Sequence, residues 1–179
     1  MSDPRLTPDP ALASQSRAAQ VAVPVADLCR RPDGPRDRQV LFGEQVTVLH
    51  EASGWAYVQA EKDGYCGYVL QHALSRSRKA THRVCVPATH AYTSADLKSP
   101  DLLSLSFGSP VTVIDETKDF AETPQGHIPR GHLAPIDRHE ADPAQIAALF
   151  LGTPYLWGGN SRWGDRLFGP RAGGAAGLR

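Results

Sequence analysis

The feature that most constrains this chain is an internal repeat. Phe42-Gly43-Glu44-Gln45-Val46-Thr47-Val48 is answered by Phe107-Gly108-Ser109-Pro110-Val111-Thr112-Val113 at an offset of 65 residues. Trp55-Ala56 meets Phe120-Ala121 at the same offset. Further on, Gly67-Tyr68-Val69 is answered by Gly126-His127-Ile128, and Leu74 by Leu133, at an offset of 59. The second copy has lost six residues in one turn and kept its register on both sides of the loss. That pattern marks a duplicated structural unit.

Each copy reads as short strands. Val46–Leu49, Trp55–Gln59 and Tyr65–Val69 are rich in β-branched and aromatic residues, and the turn signals Ser53-Gly54 and Lys62-Asp63-Gly64 separate them. A polar segment over 1–20 precedes a first unit expected over 21–75 and a second over 82–137. Ser75-Arg76-Ser77-Arg78-Lys79 reads as a solvated hinge between them. The repeat places Trp55 on Phe120, each expected to be at least partly buried because large apolar side chains dominate small cores. Glu44 and His127 read as exposed residues. After the second unit, Asp142 is a good N-cap, Pro143 suits the first helical position, and Ile146, Leu149 and Phe150 share one face. Gly152 and Pro154 come next as stop signals, so a helix is predicted over 142–151.

Composition narrows the partners. Lys+Arg and Asp+Glu number 19 each, and no basic stripe stands out, so neither nucleic acid nor an anionic membrane is an expected partner. The first twenty residues lack the apolar core of a signal peptide and no run approaches a membrane span, which reads as a cytoplasmic chain. Cys29, Cys66 and Cys85 are odd in number and not in C-x-x-C spacing, and read as small buried hydrophobes. The seven histidines are scattered, with no H-E-x-x-H or Cys/His cluster, so neither metal nor cofactor is expected.

The F-G-x-x-V-x-V opening, the W-x-x-V strand and the closing G-Y-V resemble the bacterial SH3-like barrel. The stretch Phe150-Leu151-Gly152-Thr153-Pro154-Tyr155-Leu156-Trp157-Gly158-Gly159-Asn160 resembles the opening of the NlpC/P60 catalytic domain, whose signature is P-Y-x-W-G-G. Together they imply a mainly β chain: two tandem SH3-like barrels, then over 142–164 the first helix and turn of an incomplete papain-like α+β domain. The layout resembles cytoplasmic γ-D-glutamyl-L-diamino-acid endopeptidases, which cleave murein-derived peptides bearing a free N-terminal L-alanine. In those relatives the first barrel walls the active site. The resemblance gives Tyr155 a hydroxyl near the nucleophile, and Tyr65 is a candidate to face the substrate cleft as well as an ordinary barrel aromatic. Trp157 reads as packing.

In that family D-C-S-G-L-V comes soon after, its cysteine being a nucleophile at a helix start, where the dipole favours the thiolate. Here no cysteine occurs after Cys85. The tail over 165–179 is rich in Gly, Ala and Arg, as GC-rich DNA read in a wrong frame often is. One permitted back-translation, read from the second base of Gly164, gives G-I-D-C-S-G-L-V. It puts the cysteine at position 167, now Leu167, twelve residues after Tyr155. The expectation is therefore a truncated, frameshifted peptidase with no intact catalytic residue except Tyr155, inactive as written, with a disordered tail from about Asp165. The alternative is a non-catalytic module that binds cell-wall peptides through its barrels.

Overall fold

The structure, a computed structural model, describes residues 3–138 and 142–165. It is mainly β. In the first unit β1 (Arg17–Val21), β2 (Val25–Cys29), β3 (Arg36–Leu41), β4 (Gln45–Ala52), β5 (Trp55–Ala60), β6 (Cys66–Leu70) and β7 (Leu74–Arg76) form one antiparallel sheet in the order β3-β2-β6-β5-β4-β1-β7. β1 starts at Arg17, inside the stretch that composition assigns to the polar leader. Arg17-Ala18-Ala19-Gln20 carries no β-branched residue, and only pairing with β4 and β7 makes it a strand. The hinge expected over 75–79 is likewise drawn in. Ser75 and Arg76 belong to β7, the Arg78 N–H donates to Gln20 Oε1 at 2.7 Å, and the Gln45 side-chain amide donates to the Arg78 carbonyl at 3.2 Å.

The second unit contains β8 (His82–Val84), β9 (Ala88–Tyr92), β10 (Asp101–Ser106), β11 (Pro110–Val111), β12 (Asp115–Glu116), β13 (Phe120–Thr123), β14 (Gly126–Pro129) and β15 (Leu133–Pro135). Its two sheets, β10-β9-β14-β13-β12 and β11-β8-β15, repeat the first order, with β4 broken into β11 and β12. The ladders match pair for pair. Ala56↔Val69 and Val58↔Gly67 become Ala121↔Ile128 and Thr123↔Gly126. Trp55 pairs with Leu70 and Phe120 with Pro129, and both aromatics are half-buried. Between Val58 and Gly67 the first unit carries a long turn, which shrinks in the second to Pro124-Gln125. That is where the repeat loses its six residues.

The F-G pair makes the same turn twice. Gly43 (φ 77°) donates to the Val21 carbonyl and Gly108 (φ 83°) to the Val84 carbonyl, each at 2.9 Å. The positive φ favours glycine at both sites. The preceding phenylalanine is thereby turned out of its own unit. Phe42 is buried, but among Val84, Ala91, Leu105, Val111 and Ile128 of the second unit, while the first core is built on Val21, Leu28, Val46, Val48, Val58 and Val69. Phe107, its counterpart, meets Phe150 edge-to-face at 5.6 Å.

Beyond the second unit lies α1 (Pro143–Ala148), shorter than the predicted helix. Its Asp142 cap holds as the sequence signals, the carboxylate accepting from the Ala144 N–H at 2.8 Å. Past Ala148 the bonds tighten to three-residue spacing, from Leu149 to Ile146 and from Leu151 to Ala148, until Gly152 turns away at φ 87°. A hairpin of β16 (Asn160–Ser161) and β17 (Gly164–Asp165) comes next. The expectation of a disordered tail lies, from residue 166 on, outside the described residues, and so does Leu167.

Phe42→Ala should destabilise the chain by roughly 3–5 kcal/mol, the usual cost of emptying a buried phenylalanine site. It should also separate the units, giving two urea transitions where the parent gives one. Phe107→Ala, at a half-buried contact, should cost less and leave the barrel transitions in place.

Candidate functional site

Three stretches distant in sequence meet on the first unit: the N-terminal segment, the edge strand β3, and the loop and hairpin over 154–165. An edge strand leaves half its backbone groups unpaired and natural proteins cover it. Here the cover is the hairpin and the turn before it. The Arg36 guanidinium donates to the Trp157 carbonyl at 3.0 Å, and the Asn160 N–H donates to Gln39 Oε1 at 3.2 Å. Gly158 (φ 70°) lies so close to β3 that a Cβ there would stand 2.7 Å from the Asp37 carbonyl oxygen. The hairpin also reaches β10, the edge strand of the second unit, where the Arg162 N–H donates to Ser106 Oγ at 3.3 Å. The same segment therefore seals one edge of each unit.

Beside this junction stands Tyr65, on the turn that the second unit has lost. The Arg38 guanidinium lies over its ring at 3.9 Å and that of Arg5 at 5.2 Å. Such stacking contributes about 0.5–2 kcal/mol. Arg38 is fixed by Asp63 at 2.5 Å. The Tyr65 hydroxyl donates to Asp3 Oδ2 at 3.2 Å. Arg5 clasps Asp3 at 2.6 Å and reaches Asp37 at 2.9 Å, and Arg30 holds the other Asp37 oxygen at 2.9 Å. Asp3 and Arg5 are partly open to solvent, whereas the Asp37 carboxylate is nearly buried. Hydrogen bonds from the Arg5 guanidinium and backbone hold the Asp3 carboxyl well below the usual carboxylate range. Burial alone would raise Asp37, but hydrogen bonds from Arg5 and Arg30 outweigh it and keep that carboxyl lowered.

Between the N-terminal segment and the strands lies a cavity of about 710 Å³, lined among others by Arg5, Asp9, Arg30, Asp37, Tyr57 and Tyr68. Its floor carries two tyrosine rings 5.1 Å apart. Burial pushes the Tyr57 hydroxyl and the Cys66 thiol upward, which disfavours an anionic nucleophile at Cys66. Among the described residues, no group of three His, Cys, Asp or Glu side chains is placed to hold a metal ion, and no helix is long and apolar enough to cross a membrane.

Tyr155 sits on the loop leading to the hairpin and is 45% exposed. No hydrogen bond or ring contact among the described residues joins it to Tyr65. Trp157, expected to pack, is 61% exposed, because only its backbone carbonyl engages β3. Glu44, expected at the surface, is buried. Its carboxylate accepts from the Leu41 N–H at 3.1 Å and pairs with Lys62 at 3.0 Å, closing the turn that carries Gly43. His127 is half-buried rather than exposed. Of the cysteines only Cys29 is buried; Cys66 and Cys85 are half-buried. Asp3, Arg5, Asp37, Arg38 and Gln39 carry no motif. The one signal in the sequence is the charge alternation Arg36-Asp37-Arg38 next to a proline-bounded turn.

Residues 28–74 match the family model described as the bacterial dipeptidyl-peptidase SH3 domain. The matched stretch is similar to an SH3 domain of the bacterial dipeptidyl-peptidases. The chain is 30% identical over 144 residues to the gamma-D-glutamyl-L-lysine dipeptidyl-peptidase of Bacillus subtilis, an alignment covering 70% of this chain and 48% of that protein. It thus spans about half the length of the curated relative it matches. The fold is also that of an NlpC/P60 family protein from Bacillus cereus, at a TM-score of 0.68 and 19% identity, covering 82% of this chain and 68% of the other. The chain is accordingly mainly β, with SH3-like domains.

This geometry has two measurable outcomes. Gly158→Ala should detach the hairpin from β3, since an L-residue at this φ costs about 1–2 kcal/mol before any clash. Limited proteolysis should then cut within 150–160 while the barrels stay resistant. The second outcome is a pH dependence. Asp3 and Asp37 are both depressed in the folded chain, so docking of the N-terminal segment favours their charged forms. That contribution is full above the unfolded-state value of ~4 and is lost as pH falls through the lower folded values. The Arg5 and Leu6 amide resonances should hold from pH 7 to about 4 and shift toward unstructured positions below it.

Proposed function

We propose that this chain is the N-terminal part of a murein-peptide cysteine endopeptidase that cleaves γ-D-Glu to diamino-acid bonds in peptides with a free N-terminal L-alanine. In this proposal the chain is inactive as written and retains the binding half of the design. The observation that carries the reading is the seating of the Trp157–Asn160 turn on β3, next to Arg38 and Tyr65. This puts the P-Y-L-W-G-G segment, which opens a peptidase domain in the resembling family, against a face of the first barrel that can hold a peptide. The name of the Bacillus subtilis relative supports the bond type.

The loss of chemistry rests on the sequence. A cysteine peptidase needs a thiolate and a base within reach of it. The three cysteines lie at or before position 85, and the one in the cavity is held as a thiol. In this reading one extra G in the codons of Trp163 and Gly164 would put the run that begins Arg166-Leu167 where D-C-S-G-L-V is expected. Genomic sequence read in the shifted frame beyond this point should encode the remaining peptidase region; its absence would overturn the frameshift. The binding reading is favoured independently, because the Arg38–Tyr65 stack and the cavity beside it are complete in this chain.

Purified chain incubated with L-Ala-γ-D-Glu-L-Lys should release no L-Ala-γ-D-Glu, as loss of a nucleophile costs several orders of magnitude in rate. Turnover above a protein-free control would reject the proposal.

A further inference from the structure

The N-terminal segment lies on the face of the first barrel proposed to bind peptide, and its role is inferred on that reading. Residues Pro4–Leu6 form a single helical turn with no buried residue. The segment is held from outside by side chains of the barrel: Tyr65 donates to Asp3, Asp37 accepts from Arg5, and the Gln59 amide donates to the Leu6 carbonyl at 3.3 Å. In effect it presents a carboxylate to a tyrosine hydroxyl and a cation to a nearly buried carboxylate. Asp3 and Arg5 are also paired with each other, so the segment reaches the face as a neutral zwitterion.

We infer that residues 3–6 are a built-in competitor for the peptide site of the first unit, occupying the places that the carboxylate and the amine of a short zwitterionic peptide would take. In the displaced state Tyr65 and Asp37 lose their contacts with the segment and take up the ligand. Arg38 stays fixed over the Tyr65 ring by Asp63, and Arg30 stays on Asp37, so the face is already shaped before the ligand arrives. Preformed partners lower the ordering cost of binding. The strand side of the cavity, with Tyr57, Tyr68 and Arg30, stays in place when the segment leaves and offers an aromatic surface to the remainder of a di- or tripeptide. The second unit has no such face, since the turn that bears Lys62, Asp63 and Tyr65 is missing from it.

The test uses the full chain and L-alanyl-γ-D-glutamate, titrated by ¹H–¹⁵N NMR into the parent and into the double variant Asp3→Asn/Arg5→Gln. If the segment occupies the site about nine-tenths of the time, freeing it should tighten binding about 10-fold. In the parent, saturating dipeptide should move the Arg5 and Leu6 amides to unstructured positions. N-acetylation of the dipeptide should abolish the gain, because the Asp37 arm then finds no cation. Equal affinity in parent and variant would reject the competitor and leave the peptide site standing. Weaker binding in the variant would make the segment a wall of the site and also reject it. Absence of binding in both would overturn this inference and the peptide-binding reading together. The displacement readout needs no variant: Arg5 and Leu6 amides that stay in place at saturation reject the inference by themselves.

Discussion

The structure depends on a phenylalanine that belongs to one unit in sequence and to the next in space. Phe42 leaves the first barrel at a left-handed glycine turn and becomes part of the second core, beside Val84, Leu105, Val111 and Ile128. Units of this size bury little apolar surface on their own and are marginal alone. Sharing one large side chain ties their stabilities together. The repeat uses the device again: Phe107 turns out at the matching glycine and meets Phe150, just past α1. Each unit therefore holds its successor by the same residue at the same turn, and Gln20, Gln45 and Arg78 stiffen the first joint further.

With the barrels fixed in this way, their two open edges face a common partner. β3 and β10 end their sheets, and the Trp157–Asp165 stretch bonds to both, through Arg36 and Gln39 on one side and Ser106 on the other. Edge protection and the positioning of this stretch are thus met by one set of hydrogen bonds. The contacts are polar and local. The side chains of Trp157 and Trp163 and that of Leu151 remain largely exposed around them.

The β architecture was legible because the apolar and turn residues of the repeat recur in step. The Val46/Val111 and Val69/Ile128 pairs fill equivalent core positions, and Ser53-Gly54, both at positive φ, make the tight hairpin that the pair signals. What escaped was set by tertiary pairing. Arg17–Gln20 became a strand through its neighbours, against weak intrinsic preference. Glu44 looks like a surface glutamate until the Leu41 N–H and Lys62 are brought to it. The helix kept its cap but lost its last turn, since cap chemistry is local and helix length depends on what the apolar face packs against. At the candidate site Tyr65 could be singled out, whereas Asp3, Arg5 and Asp37 could not. Their meaning lies in a contact spanning more than thirty positions, as between Arg5 and Asp37.

The shortened turn of the second unit sets it apart from the first. The two barrels share their ladder positions and differ in this turn. The six residues by which they differ lie in the stretch that in the first unit supplies Lys62, Asp63 and Tyr65, and the flanking ladder positions keep their register. The scaffold is thus common to both units, and the turn with Tyr65 belongs to the first alone. Without that turn the second unit still accepts Phe42 and offers Phe107, so the joints between units do not depend on it.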